Sequence, residues 1–198
     1  MKKSVNRGKR DLFKKRHFTA IIRNTAAFCT HFFAYKKPPL LFESQNHEGD
    51  LMVIFRGYKG RYGIFYDYLQ FKRVFGHLNY EAQAAYATSL IAHEMRHYYQ
   101  MRQLDSKKPR EPKEVLDKWR YDDEHPKYPG DGCSILEFYM QPMELDAQLF
   151  AYLFVAYNMD AAIGLDYIDE SYIGELEKYY ISIFGDSDVS IFHPTDEG

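Results

Sequence analysis

Near the middle of the chain the sequence reads His93-Glu94-Met95-Arg96-His97. If this stretch is helical, the i, i+4 spacing puts both imidazoles on one face, one turn apart, so both can reach one ion. Neutral imidazole nitrogen suits Zn²⁺ at about 2.0–2.1 Å. Glu94 follows the first His, and its carboxylate can take a proton from water beside such an ion and pass it to a leaving group. The plain alternative is a helix with two surface His and a capped Glu; the motif's place in mid-helix argues against it.

A catalytic zinc site usually takes three protein ligands and leaves a position for water. The third should come from another element packed on the first. Glu144 is the foremost candidate, with Asp146, His125 and Glu137 behind it. One helical face reads Glu144, Ala147 or Gln148, Ala151, Val155, and its small residues allow close approach to an Ala-rich helix at 82–92. Asp146 lies about 200° around the same helix from Glu144, so the two acids do not easily serve together. Asp146 is expected instead to accept an imidazole N–H, a contact that fixes ligand tautomer. Glu144 also has a plain reading, as an acid in a helix first turn. Tyr98, Tyr99, Tyr139 and His125 are candidate donors to a developing oxyanion, although core packing is the default for each Tyr. Arg96 could pair with an acid or steady a substrate carboxylate, but is expected as a surface charge.

These residues need elements to hold them. Asn79 is a good N-cap, and from Tyr80 to Leu104 there is neither Gly nor Pro, which predicts a long helix carrying the motif. Gln141-Pro142 opens a second helix, through 157, apolar nearly all round after Gln148 and therefore expected in a core. A first helix is expected over 17–35, ended by Lys36-Lys37-Pro38-Pro39. Strands are expected at 51–56, 61–68 and 69–76, with 40–44 as an edge strand. Residues 105–133 hold four Pro and read as a loop-rich insertion, long enough for a lid, with one short helix near 112–121. A further helical pattern covers 170–184, and 186–198 reads as a loose tail. The order gives an α+β fold: a small, mostly antiparallel sheet packed against the motif helix and a buried second helix. Residues 17–185 form one domain, preceded by a flexible basic arm at 1–16. The strand region 61–76 offers an edge for an extended peptide.

The 198 residues carry 45% hydrophobic and 27% charged side chains, which excludes a wholly disordered chain. Net charge is −2, but unevenly spread: residues 1–37 hold 11 Lys/Arg and one acid. A basic arm on an acidic body suits a solvated tail or contact with a polyanion through residues 2–16. The 2 Cys fit a reducing compartment. Residues 18–35 hold Arg23, Asn24 and His31, which leaves neither a signal-like apolar run nor a membrane span. A cytoplasmic protein is expected. No Gly-rich phosphate loop and no GxSxG is present.

The helix pair at 92–100 (AHEMRHYYQ) and 141–151 (QPMELDAQLFA) resembles the minimal HExxH zinc metallopeptidases of the ImmA/IrrE type, in which HExxH is followed by an E-x-E/D-A-x-x-F-A segment. Here that segment is Glu144-Leu145-Asp146-Ala147-Gln148-Leu149-Phe150-Ala151. The resemblance covers about 40 residues. It implies a small zincin-like fold, zinc on His93, His97 and Glu144, Glu94 as general base, and limited proteolysis of protein or peptide substrates. His97 and Glu144 stand farther apart in sequence than that family leads one to expect, Gln148 replaces the more usual Asn or Asp, and no helix-turn-helix region is evident. The rival expectation is a catalytically silent scaffold that binds nucleic acid or an acidic partner through its basic arm.

Overall fold

The computed structural model describes residues 12–44, 53–58 and 61–159. The helical pattern at 170–184, the tail at 186–198 and most of the basic arm lie outside these. The element order is α1 (Lys15–Phe32), β1 (Leu40–Glu43), β2 (Val53–Tyr58), β3 (Arg61–Tyr66), α2 (Tyr68–Phe75), α3 (Tyr80–Leu104), α4 (Lys113–Glu124), α5 (Ile135–Tyr139) and α6 (Pro142–Met159). The fold is α+β.

The folded body starts inside the stretch expected as an arm. Phe13 is buried and packs on Phe71 and Tyr80. α1 then presents Phe18, Ile22, Ala26 and Cys29 to the core at helical spacing. Phe18 meets Phe71 of α2, with ring centroids 4.5 Å apart. Cys29 has no exposure, and burial pushes its thiol pKa up to about 12. A thiol reagent added to the native protein should therefore modify Cys133, which is partly exposed, and spare Cys29 until denaturant is added. Equal rates at both positions in a peptide map would contradict this packing.

The sheet is mixed rather than mostly antiparallel. Its order is β1-β3-β2. β2 and β3, separated by two residues, pair antiparallel, with Phe55 opposite Ile64. β1 pairs parallel to β3 on the other edge, with Leu41 opposite Ile64. β3 takes the centre because its run of Gly63, Ile64, Phe65 and Tyr66 is buried throughout, as a two-sided strand requires. β2 is left as an edge, against α3.

The expected strand at 69–76 is a helix. Phe71 and Phe75 fit a period of two through Phe71, Arg73 and Phe75, but they equally fit i, i+4. Asp67 decides between these: its side chain accepts from the Leu69 and Gln70 N–H groups at 2.8 and 3.2 Å, capping α2. Phe71 and Phe75 go inward, while Lys72, Arg73 and Val74 face out.

α3 begins as expected, with Asn79 Oδ1 accepting from the Ala82 N–H at 2.8 Å. Its most extensive helix contact is with α6. Ala147, Ala151 and Val155 of α6 are fully buried, and Val155 packs with Ala85 of α3. The small-residue face expected from the sequence is the face used. The outer side of α6 is only partly covered, and Tyr157 is 81% exposed.

The insertion at 105–133 carries the helix expected near 112–121, three residues longer at its end. Within it α4 runs to Glu124, burying Leu116, Trp119 and Asp122. Asp122 Oδ2 accepts from the Met143 N–H at 2.9 Å, so an acid of α4 caps the first turn of α6. That contact fixes where α6 starts, and with it the position of Glu144. Among the described residues no helix is long and apolar enough to cross a membrane.

Candidate metal centre

His93 and His97 project from one face of α3, and Glu144 reaches them from the first turn of α6. One ligand atom from each lies within 4.8 Å of the other two. The two Nε2 atoms are 2.9 Å apart. His93 Nε2 is 3.4 Å from Glu144 Oε2, and His97 Nε2 is 3.5 Å from Glu144 Oε1. Bonds of about 2.0–2.1 Å to a tetrahedral zinc imply ligand–ligand separations of about 3.3 Å. Each imidazole nitrogen stands near that spacing from one of the two Glu144 oxygens, so two nitrogens and a carboxylate suit zinc in chemistry and lie close to the distances it needs. Among the described residues this is the one group of three or more His, Cys, Asp or Glu side chains close enough for such a role.

The electrostatics follow from crowding and burial. Burial favours a neutral His97 ring, but the Glu144 carboxylate outweighs it, with help from Glu94, and holds the pKa up to about 9. Burial also works against the Glu144 charge, but His97 and His93 overcome it and keep that carboxyl well below the usual range. Glu94 goes the other way. Its burial raises its pKa, against the opposing pull of His93, His97 and the Phe55 N–H.

A proton therefore sits where a metal would bind. His97 is raised above its ordinary 6.5 to about 9, so across that window zinc has to displace a proton. Zinc affinity is expected to rise with pH up to about 9 and to flatten above it. The same ion pair stabilises the metal-free fold fully below about 6.5 and loses this contribution as pH rises through about 9. Calorimetric zinc titrations at pH 7.5 in buffers of different ionisation enthalpy should report release of about one proton. Heats that do not depend on the buffer would contradict it.

Glu94 lies beside this group. Its Oε2 accepts from the Phe55 N–H of the edge strand β2 at 2.8 Å. A groove of about 290 Å³ runs past His97 and Glu144, walled by Phe55, Tyr62, Met101 and Tyr128.

Several expected residues stand elsewhere. Among the described residues Asp146 accepts from no imidazole. It is paired with Arg96, whose Nε and Nη2 donate at 2.7 and 3.0 Å, and it also accepts from the Gln100 amide at 2.7 Å. Two residues of helix separate its carboxylate from the Glu144 face, and the guanidinium claims it there. Arg96 is no surface charge: its side chain is 16% exposed and lies over the Tyr99 ring at 4.6 Å. His125 is exposed, its Nδ1–H donates to the Tyr121 carbonyl at 3.0 Å, and it lines a neighbouring cavity of about 580 Å³ rather than the groove. Glu137 accepts from the Ser134 N–H and hydroxyl, closing a capping box at the start of α5. The Tyr98 hydroxyl donates to the Lys37 carbonyl and the Tyr99 hydroxyl to Glu111. Tyr139 differs. Burial and the nearby Glu144 charge push its phenol up to about 12, so it stays protonated and near the acid.

Gln100 was not foreseen. Its Oε1 is 2.8 Å from His97 Nδ1. The spacing from His97 is i, i+3, which places it on the same face, so the signal was present. A Gln three residues past HExxH simply does not announce its role.

In comparisons with known proteins, no family model, no curated protein sequence and no solved structure matches the chain.

Proposed function

We propose that the protein is a zinc-dependent peptidase with a zincin-like site, hydrolysing peptide bonds with His93, His97 and Glu144 as zinc ligands and Glu94 as general base. The observation that carries this reading is the convergence of the three ligand atoms within 4.8 Å, with the Glu94 carboxylate beside them. When bound, zinc supplies Lewis acidity, making water acidic near neutral pH and polarising a carbonyl.

Glu94 then does the proton work. The Phe55 N–H holds its carboxylate in place, and burial raises its pKa, which makes it a better base than an exposed Glu. It takes a proton from the attacking water as the C–O bond forms. It returns that proton to the amide nitrogen as the C–N bond breaks. Tyr139, protonated near Glu144, is suited to donate to the charge developing on the carbonyl oxygen. Among the described residues no strand pairs with the outer edge of β2, and apart from the Phe55 N–H, which Glu94 holds, that edge suits addition of an extended substrate through main-chain hydrogen bonds. This edge is β2, not the 61–76 region expected from the sequence, because β3 is central and 68–75 is helical.

The test is turnover of quenched-fluorescence peptides of mixed sequence. The zinc-loaded protein should cleave a subset of them, chelator should stop cleavage, and added zinc should restore it. Cleavage that continues unchanged in the chelated protein would contradict the proposal.

A further inference from the structure

Gln100 is fully buried, and its surroundings fix its orientation. One amide hydrogen goes to the Met143 carbonyl at 2.9 Å and the other to Asp146 Oδ2 at 2.7 Å. Both partners are acceptors only, so a flipped amide would set oxygen against two oxygens. Oε1 must therefore face His97 Nδ1, at 2.8 Å, and that nitrogen must carry the hydrogen. Asp146 is held in turn by the two-pronged Arg96 pair, with Arg96 lying over Tyr99 and near Phe150 and Trp119. The chain of contacts runs from Arg96 through Asp146 and Gln100 to His97 between α3 and α6, its two middle members buried and its two ends partly so.

We propose that Gln100 is a positioning residue of the metal centre: it holds His97 as the Nδ1–H tautomer and so aims the Nε2 lone pair at the ion, with the Arg96–Asp146 pair holding Gln100. The part of this that concerns metal affinity rests on the zinc reading above; the tautomer does not. His93 has no matching support, since its buried Nδ1 has no hydrogen-bond partner among the described residues. The two imidazoles are held unequally, and His97 is the pre-set ligand.

Two variants separate positioning from bracing. Gln100→Met keeps the volume but accepts no hydrogen bond, and zinc affinity, measured by competition with a chelating dye, should fall about 10–100-fold. Gln100→Glu still accepts from Nδ1–H while losing both donations to α6. It should bind zinc within about threefold of the wild type if positioning is the role, and no better than Gln100→Met if Gln100 only braces the helices. Wild-type affinity in Gln100→Met overturns the proposal, as does equal weakening in both variants. A measurement on the unaltered, metal-free chain covers the case in which a variant does not fold or zinc does not bind. Long-range ¹H–¹⁵N NMR in alkaline solution, where the His97 ring is neutral, should show the hydrogen on Nδ1. A hydrogen on Nε2, the tautomer a free histidine side chain prefers, overturns the proposal whatever the zinc result.

Discussion

Replacing Glu94 by Gln should leave zinc bound and remove turnover. The substitution keeps side-chain volume, and the remaining amide oxygen can still accept from the Phe55 N–H. None of the three ligand atoms is touched. What is lost is the ability to take up a proton, a contribution worth about 10²–10⁴-fold in rate. Burial disfavours the Glu94 charge and, with the smaller repulsion from Glu144, outweighs its attraction to His93 and His97, so the neutral variant should be no less stable than the parent. The expected pattern is unchanged zinc content with a fall of at least about 100-fold in kcat. A variant that loses zinc as well, or that keeps more than half its activity, would show that Glu94 is a ligand or a bystander.

Replacing Asp146 by Leu should destabilise the fold by about 3–5 kcal/mol, because it strands the Arg96 charge in the α3–α6 interface. The pair is largely out of water, at 16% and 8% side-chain exposure, so its partner cannot simply be resolvated. It also removes the acceptor for Gln100. For a domain of this size the drop corresponds to about 10 °C in Tm. The double change Arg96→Met with Asp146→Leu should recover much of the loss, since apolar replacements of a buried pair are often neutral or better. If the single Leu variant melts with the parent, Arg96 reaches solvent and the buried pair is not as described.

What the sequence made legible was what is decided locally. The Asn79 cap, the Ala-rich run without Gly or Pro and the i, i+4 His pair belong to one helix, and local preferences suffice to build it. Glu144 was legible one step further out, because Ala147, Ala151 and Val155 marked the face of α6 that can approach α3 closely. What failed depended on partners far along the chain. Asp146 looked available to an imidazole until Arg96, fifty positions earlier, claimed it. The span 69–76 is the local exception: it satisfied two periodicities, and the Asp67 cap, accepting from two N–H groups, chose the helix. β1 lies parallel to β3 through a pairing that no turn signal announces. The insertion at 105–133 holds the short helix expected near 112–121, but nothing local to it announced that its Asp122 would cap α6.

The central claim is that His93, His97 and Glu144 form one metal site. Its most direct test is zinc content and affinity of the purified chain set beside Glu144→Ala. The wild type should bind one zinc per chain, with X-ray absorption showing two imidazoles and an oxygen donor at about 2.0–2.1 Å, and the variant should bind it far more weakly. A wild-type chain that takes up no zinc when zinc is supplied, or a Glu144→Ala chain that binds it equally well, would contradict the account.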